Sequence, residues 1–210
     1  MKTDHEKYDL PILQLIAQDT PQGWALLMRR HYDALYNYGG RFTSDEDVIK
    51  DAIQEVLINL WERRATVGSI RSLRYYLVAA VKNKIISALR RSMRHEDLDT
   101  AAQENQYGFH IEFSTEKIVL NGQVPLAEAT GIRDMLDRLS PRQKEVIYLK
   151  YYQQLTHSQI AQLLGISPQS LYNLLHESLR KLRSLLKKEP RPAALLKSLS
   201  LPLLLLFFGR

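Results

Sequence analysis

Cysteine is absent from the 210 residues, which excludes disulfides and thiolate chemistry and fits the cytoplasm. Glycine and proline are sparse, at nine and eight, and no glycine-rich run is placed to cradle a phosphate. The six histidines, at 5, 31, 95, 110, 157 and 176, fall into no metal-ligand spacing. One run, HEDLD from His95, looks superficially like a ligand cluster but reads more simply as the start of a solvated segment. No catalytic residue, metal site, cofactor or small-molecule substrate is therefore expected, and the chain is not read as an enzyme. Long apolar runs are missing too. The first ten residues, MKTDHEKYDL, are too charged for a secretory segment. The tail from Ala193 to Phe208 is apolar, but its uncharged part, Ser198–Phe208, has 11 residues where a spanning helix needs about 20. Such a tail suits packing on neighbouring helices, a regulatory partner or a membrane surface.

What the chain does have is helix-forming residues and unevenly placed charge. Alanine, leucine, lysine, arginine and glutamine abound, so an all-α fold is expected, with room for one or two small domains. The net charge of +6 favours an anionic partner. Its distribution is more informative. Residues 1–61 carry 6 basic and 10 acidic side chains, residues 62–94 carry 9 and 1, and residues 95–130 carry 1 and 7.

Near the C-terminus, LTHSQIAQLLGISPQSLYNLLHESLRKLR (Leu155–Arg183) reads as two short helices hinged at a glycine. Three helix starts are legible. SPRQ offers Ser140 as cap, a proline in the first turn and Gln143 three residues on; THSQ repeats the device with Thr156 and Gln159; SPQS offers Ser167 and Pro168. Gly165 stands where a left-handed residue would close the middle helix, and GIS is a joint of helix-turn-helix length. At about 100° per residue, Leu171, Leu174, Leu175, Ser178, Leu182 and Leu186 share one face of the last helix. Gln169, Tyr172, Asn173, His176, Arg180 and Arg183 share the other. These amides, imidazole and guanidinium groups suit base edges and phosphates in a major groove. A plain helical hairpin with a solvated polar face fits the same periodicity.

In the first half, DAIQEVLINLWER (Asp51–Arg63) places Ile53, Val56, Leu57, Leu60 and Trp61 on an expected buried stripe. Opposite them lie Asp51, Gln54, Glu55, Ile58 and Glu62. An acidic face with a branched apolar residue at its centre suits docking on a basic helix. A simple core helix explains the buried side equally well but leaves Ile58 unaccounted for. After a break at ATVGS, residues 70–92 read as a long basic helix, with Tyr75 and Tyr76 among Arg71, Arg74, Lys82, Lys84, Arg90 and Arg91. Cations of this kind track phosphates while aromatics stack on unpaired bases, although either tyrosine singly also fits the edge of a core. Upstream, WALLMRRHYDALYNYGGRF supplies an amphipathic helix with Trp24, Leu27, His31, Leu35 and Tyr38 near one side, expected to serve the core.

Together these runs resemble the extracytoplasmic-function (ECF) group of sigma factors, in the sigma-70 family of bacterial transcription initiators. DAIQEVLINLWERR is similar to that family's polymerase-clamp helix, SLRYYLVAAVKNKIISALRR to its minus-ten segment, and residues 139–183 to its minus-thirty-five reader. The resemblance implies a region-2 bundle at 10–94, an acidic linker at 95–131, a region-4 helix-turn-helix at 132–188 and an apolar tail at 189–210. It implies core-polymerase contacts at Asp51, Gln54, Glu55, Ile58 and Glu62. Minus-ten contacts fall at Arg71, Arg74, Tyr75, Lys82, Asn83 and Arg90, and minus-thirty-five contacts at Ser167, Gln169, Ser170, Tyr172, Asn173, His176 and Arg180. Implied partners are core RNA polymerase, promoter DNA and an anti-sigma factor, membrane-anchored in members of the family. Two features depart from the pattern. Tyr172 and Leu174 stand where lysine or arginine is common and Glu177 where a base is frequent, so upstream affinity leans on Arg180, Lys181 and Arg183; the apolar tail is the second departure. A competing reading is a helix-turn-helix regulator with an N-terminal sensory or dimerisation domain, which would bind duplex DNA without polymerase.

The linker's negative charge suits a basic channel and repels DNA. Reversing the charge of Glu96, Asp97, Asp99 and Glu104 together is expected to weaken assembly with core polymerase in a titration; unchanged assembly would make the charge incidental.

Overall fold

The computed structural model describes residues 4–96 and 134–187, with side chains from 9 to 92 and from 134 onward. The chain divides into two compact units, residues 1–107 and 108–210. The expected linker beyond residue 96 and the apolar tail lie outside the described residues. Within them all regular structure is helical.

The described residues of the first unit form a bundle of four helices: α1 (Asp4–Ala17), α2 (Pro21–Gly39), α3 (Glu46–Glu62) and α4 (Leu73–Glu96). Local chemistry sets the starts. The Thr20 hydroxyl accepts from the Gly23 N–H ahead of Pro21, and the Asp45 carboxylate accepts from the N–H groups of Asp47 and Val48 at 3.0 and 3.2 Å. Glu46 and Asp47 add negative charge to the first turn of α3, where the helix dipole favours it. The ATVGS break is a 3-10 helix, Arg64–Ser69, rather than an open loop. Ile70 then adopts an extended backbone, so α4 begins at Leu73, three residues later than expected, with the Ser72 hydroxyl accepting from the Tyr75 N–H.

Ile16, Leu27, Tyr38, Ile53, Leu60, Leu73, Leu77 and Ile85 form the centre of this core, each almost fully buried. Burying side chains of this size contributes about 1.5–3 kcal/mol apiece. His31 is buried as well, 3.8 Å from the equally buried Asp9 of α1. The other Asp9 oxygen accepts from the Arg74 N–H at 3.3 Å, so one carboxylate ties α1 and α2 to the first turn of α4. Helices α1 and α2 meet at Gly23, where a Cβ would stand 2.8 Å from the carbonyl carbon of Leu15.

The stripe of α3 needs one correction. Ile49, Ala52, Ile53, Val56 and Leu60 are buried and Leu57 is half-buried, but Trp61 is 47% exposed. Trp61 follows Leu60 by about 100° of rotation and lies only about 60° from Ile58, which turns it outward. The helix also ends one residue later, at Glu62.

The second unit contains α5 (Pro141–Ile147), a π turn at Tyr148–Tyr152, α6 (His157–Leu164) and α7 (Pro168–Lys187), preceded by helical residues 134–137. Both expected capping boxes form, Ser140 with Gln143 and Thr156 with Gln159. Gly165 closes α6 at φ 63°, ψ 35°, the left-handed region expected for it. The π turn has no counterpart in the sequence reading; it lets α5 end in a stacked pair, Tyr148 and Tyr152, with centroids 5.3 Å apart. Arg142 of α5 donates to the Leu164 carbonyl at 2.5 Å and stands 3.4 Å from the buried Glu145 carboxylate, fastening the elbow between α6 and α7 to α5.

Gly23→Ala is expected to cost about 1–3 kcal/mol in urea unfolding, because the added methyl meets backbone that has no rotamer to yield. Gly40→Ala, whose Cβ would meet nothing closer than 3.6 Å, is expected to be near neutral.

Candidate protein and nucleic-acid interfaces

The outward face of α3 carries Asp51, Gln54, Glu55, Ile58 and Glu62, all exposed, with Ile58 47% exposed at the centre. The structure thus brings all five expected residues onto one surface. Trp61 joins them at its edge. Glu55 has a second engagement, since its carboxylate lies 2.6 Å from the Lys84 ammonium of α4. The hydrogen bond from Lys84 holds the Glu55 carboxyl below the ordinary glutamate range, with Arg91 adding to the effect.

The expected minus-ten residues along α4 do not form one uniform surface. Arg71 is exposed just ahead of the helix. Arg74 turns inward: its backbone is held by Asp9 and its guanidinium is half-buried, where desolvation lowers its pKa against the pull of the Asp9 charge. Tyr75 is also half-buried, and burial pushes its phenol up. The Lys82 ammonium sits 5.8 Å from the centroid of Phe42. Further along, Asn83 and Arg90 are exposed and line a groove of about 670 Å³ between α3 and α4, together with Arg63, Lys84 and Arg91. Asn83 and Arg90 are therefore brought together, while Arg71, Arg74 and Tyr75 belong to the other end of the helix.

On α7, Ser167, Gln169, Ser170, Tyr172, Asn173, His176 and Arg180 are all exposed. Leu171, Leu175, Ser178, Leu182 and Leu186 are buried, and Leu174 is half-buried. The exposed face is organised in pairs one turn apart. Gln169 donates to Asn173 at 3.1 Å, and Tyr172, 64% exposed, stacks on His176 with centroids 6.5 Å apart. Ser167 is committed to capping, accepting from the Ser170 N–H at 3.1 Å. Two groups near the start of α6 escaped the sequence reading: Lys150 in the π turn, whose pKa burial lowers, and His157 at the first position of α6, lowered by burial and by the Lys150 charge. The roles of Lys84, Arg142 and Arg64 were missed too, because each depends on a partner distant in sequence: Glu55, the Leu164 carbonyl and Asp19.

The sigma-70 region 2 family matches residues 27–95, and the sigma-70 region 4 family matches residues 130–182. The RNA polymerase sigma-E factor of Streptomyces avermitilis is 24% identical over 170 residues, covering 81% of this chain and 88% of the relative. The ECF RNA polymerase sigma factor SigK of Mycobacterium ulcerans is 21% identical over 179 residues, covering 83% and 91%. The chain belongs to the ECF sigma factors of the sigma-70 family. It is an alternative sigma factor of transcription initiation, and the competing reading as a sensory regulator is not favoured. Members of this family are transcription factors rather than catalysts. Among solved structures, the sigma factor RpoE from Bartonella quintana, in complex with the anti-sigma factor NepR, shares the fold with a TM-score of 0.51. It is 18% identical and covers 79% of this ECF sigma factor and 98% of that chain. Among the described residues, no helix is long and apolar enough to cross a membrane.

Lys84→Gln removes the main donor to Glu55, so the Glu55 carboxyl is expected to titrate at higher pH, nearer the ordinary glutamate range. Side-chain carbon NMR across the acid range checks this; an unmoved titration would mean that the pair does not persist in solution.

Proposed function

We propose that this sigma factor docks on core RNA polymerase through Asp51, Gln54, Glu55, Ile58 and Glu62. The observation that carries the reading is Ile58: a branched apolar side chain, 47% exposed, ringed by carboxylates and an amide on a helix whose other face is locked in a core. A basic partner helix satisfies both halves of that surface, burying the isoleucine and neutralising the rim.

In the same reading, 10–94 is the polymerase and minus-ten domain, 95–131 the linker, 132–188 the minus-thirty-five reader and 189–210 an accessory tail. Arg71, Arg74, Tyr75, Lys82, Asn83 and Arg90 engage minus-ten DNA, the cations along the phosphates and the tyrosine on an unstacked base. Removing a base from the stack costs a few kcal/mol, which capture of the single strand offsets without covalent chemistry. Ser167, Gln169, Ser170, Tyr172, Asn173, His176 and Arg180 face the minus-thirty-five element, with Arg180, Lys181 and Arg183 supplying charge. The complex of a relative with an anti-sigma factor supports a partner of that kind here. The working compartment is then the cytoplasm, where polymerase and promoter are.

Reconstitution tests this. Purified chain with core polymerase is expected to start transcripts from a promoter library, and Ile58→Asp is expected to lose core polymerase in a pull-down. Equal recovery by both proteins would take Ile58 out of the interface.

A further inference from the structure

We propose that Trp61 is a second anchor of the polymerase-binding surface, held ready by Arg64, and that it packs on the same basic helix of core polymerase as Ile58. This rests on the reading of α3 given above and extends it to a residue that the hydrophobic pattern assigns to the core.

Trp61 and Ile58 are neighbours one turn apart, and each is 47% exposed. A half-exposed tryptophan beside a half-exposed isoleucine makes a continuous apolar strip inside the stripe of Asp51, Glu55 and Glu62. Carboxylates on that stripe repel phosphates, so the occupant is a cationic protein surface rather than DNA. Aromatic anchors in such positions dominate binding energy, and a tryptophan buries about 150–250 Å² when covered.

The indole is not left loose. The Arg64 guanidinium carbon lies 4.5 Å from the centroid of the ring, covering one face. The same guanidinium donates to the Trp61 backbone carbonyl at 3.0 Å, and its Nε is 3.1 Å from an Asp19 carboxylate oxygen. The other Asp19 oxygen accepts from the Trp24 indole N–H at 3.4 Å. Asp19 reaches this position from the joint between α1 and α2 with a left-handed φ of 53°. Arg64 is thus oriented from two directions, and the ring resting on it keeps its remaining surface outward. Docking then costs little side-chain entropy. Asp19 also offsets the Arg64 charge, which would otherwise oppose a basic partner.

The decisive measurement is hydroxyl-radical footprinting of the wild-type chain, free and in holoenzyme, read by mass spectrometry at Trp61. Protection of several-fold is expected on assembly; unchanged oxidation overturns the proposal. In competition binding to core polymerase, Trp61→Ala is expected to raise Kd about tenfold or more. Trp61→Phe should restore most of the affinity, and Arg64→Gln should lose part of it at an unchanged melting temperature. If Ile58→Asp abolishes binding while Trp61→Ala does not weaken it, this inference falls and the α3 reading stands. If Ile58→Asp binds as wild type, the α3 reading itself falls. If Trp61→Ala binds polymerase normally and fails only in promoter opening, Trp61 belongs to DNA and the proposal is overturned.

Discussion

The rotation of α3 about its own axis is the constraint from which the proposed polymerase-binding surface follows. Ile49, Ala52, Ile53, Val56 and Leu60 are buried together, and turning the helix by a single residue would exchange core for surface. Interiors are close-packed, so these five positions hold the rotation tightly. With it fixed, Ile58 must point outward and the carboxylates must ring it. The exposed face is in this sense a by-product of the buried one.

Electrostatics follow from the same arrangement. The acidic first half and the basic second half of the domain are read as separate blocks in the chain, yet the fold lays them side by side across the groove between α3 and α4. Glu55 and Lys84 meet there at 2.6 Å. Such an exposed pair contributes little to stability. It does place one carboxylate within reach of both proposed surfaces. At the far end, Asp9 uses its charge differently, buried and spent on the first turn of α4.

Much of this was legible in the chain. The capping boxes at Ser140 and Thr156, the left-handed Gly165 and the inward leucines of α7 are local features, set by residues within one or two turns of each other. The exposed stripe of α3 was legible for the same reason. Trp61 was misplaced because periodicity extends a stripe to the end of a helix without knowing whether anything waits there to cover it. The half-buried setting of Arg74 was not legible, because it depends on Asp9, sixty-five positions away. Lys84, Arg64 and Arg142 likewise owe their roles to partners on other elements. The π turn at Tyr148–Tyr152 had no local signal of this kind.

The elbow at Gly165 makes a narrower demand than the word glycine suggests. A Cβ added there would meet nothing within 4 Å, yet the backbone stands at φ 63°. The site therefore selects for handedness and not for smallness. A mirror-image alanine would sit in it comfortably while the natural enantiomer would strain. What looks like a need for space ahead of α7 is a preference between two stereoisomers.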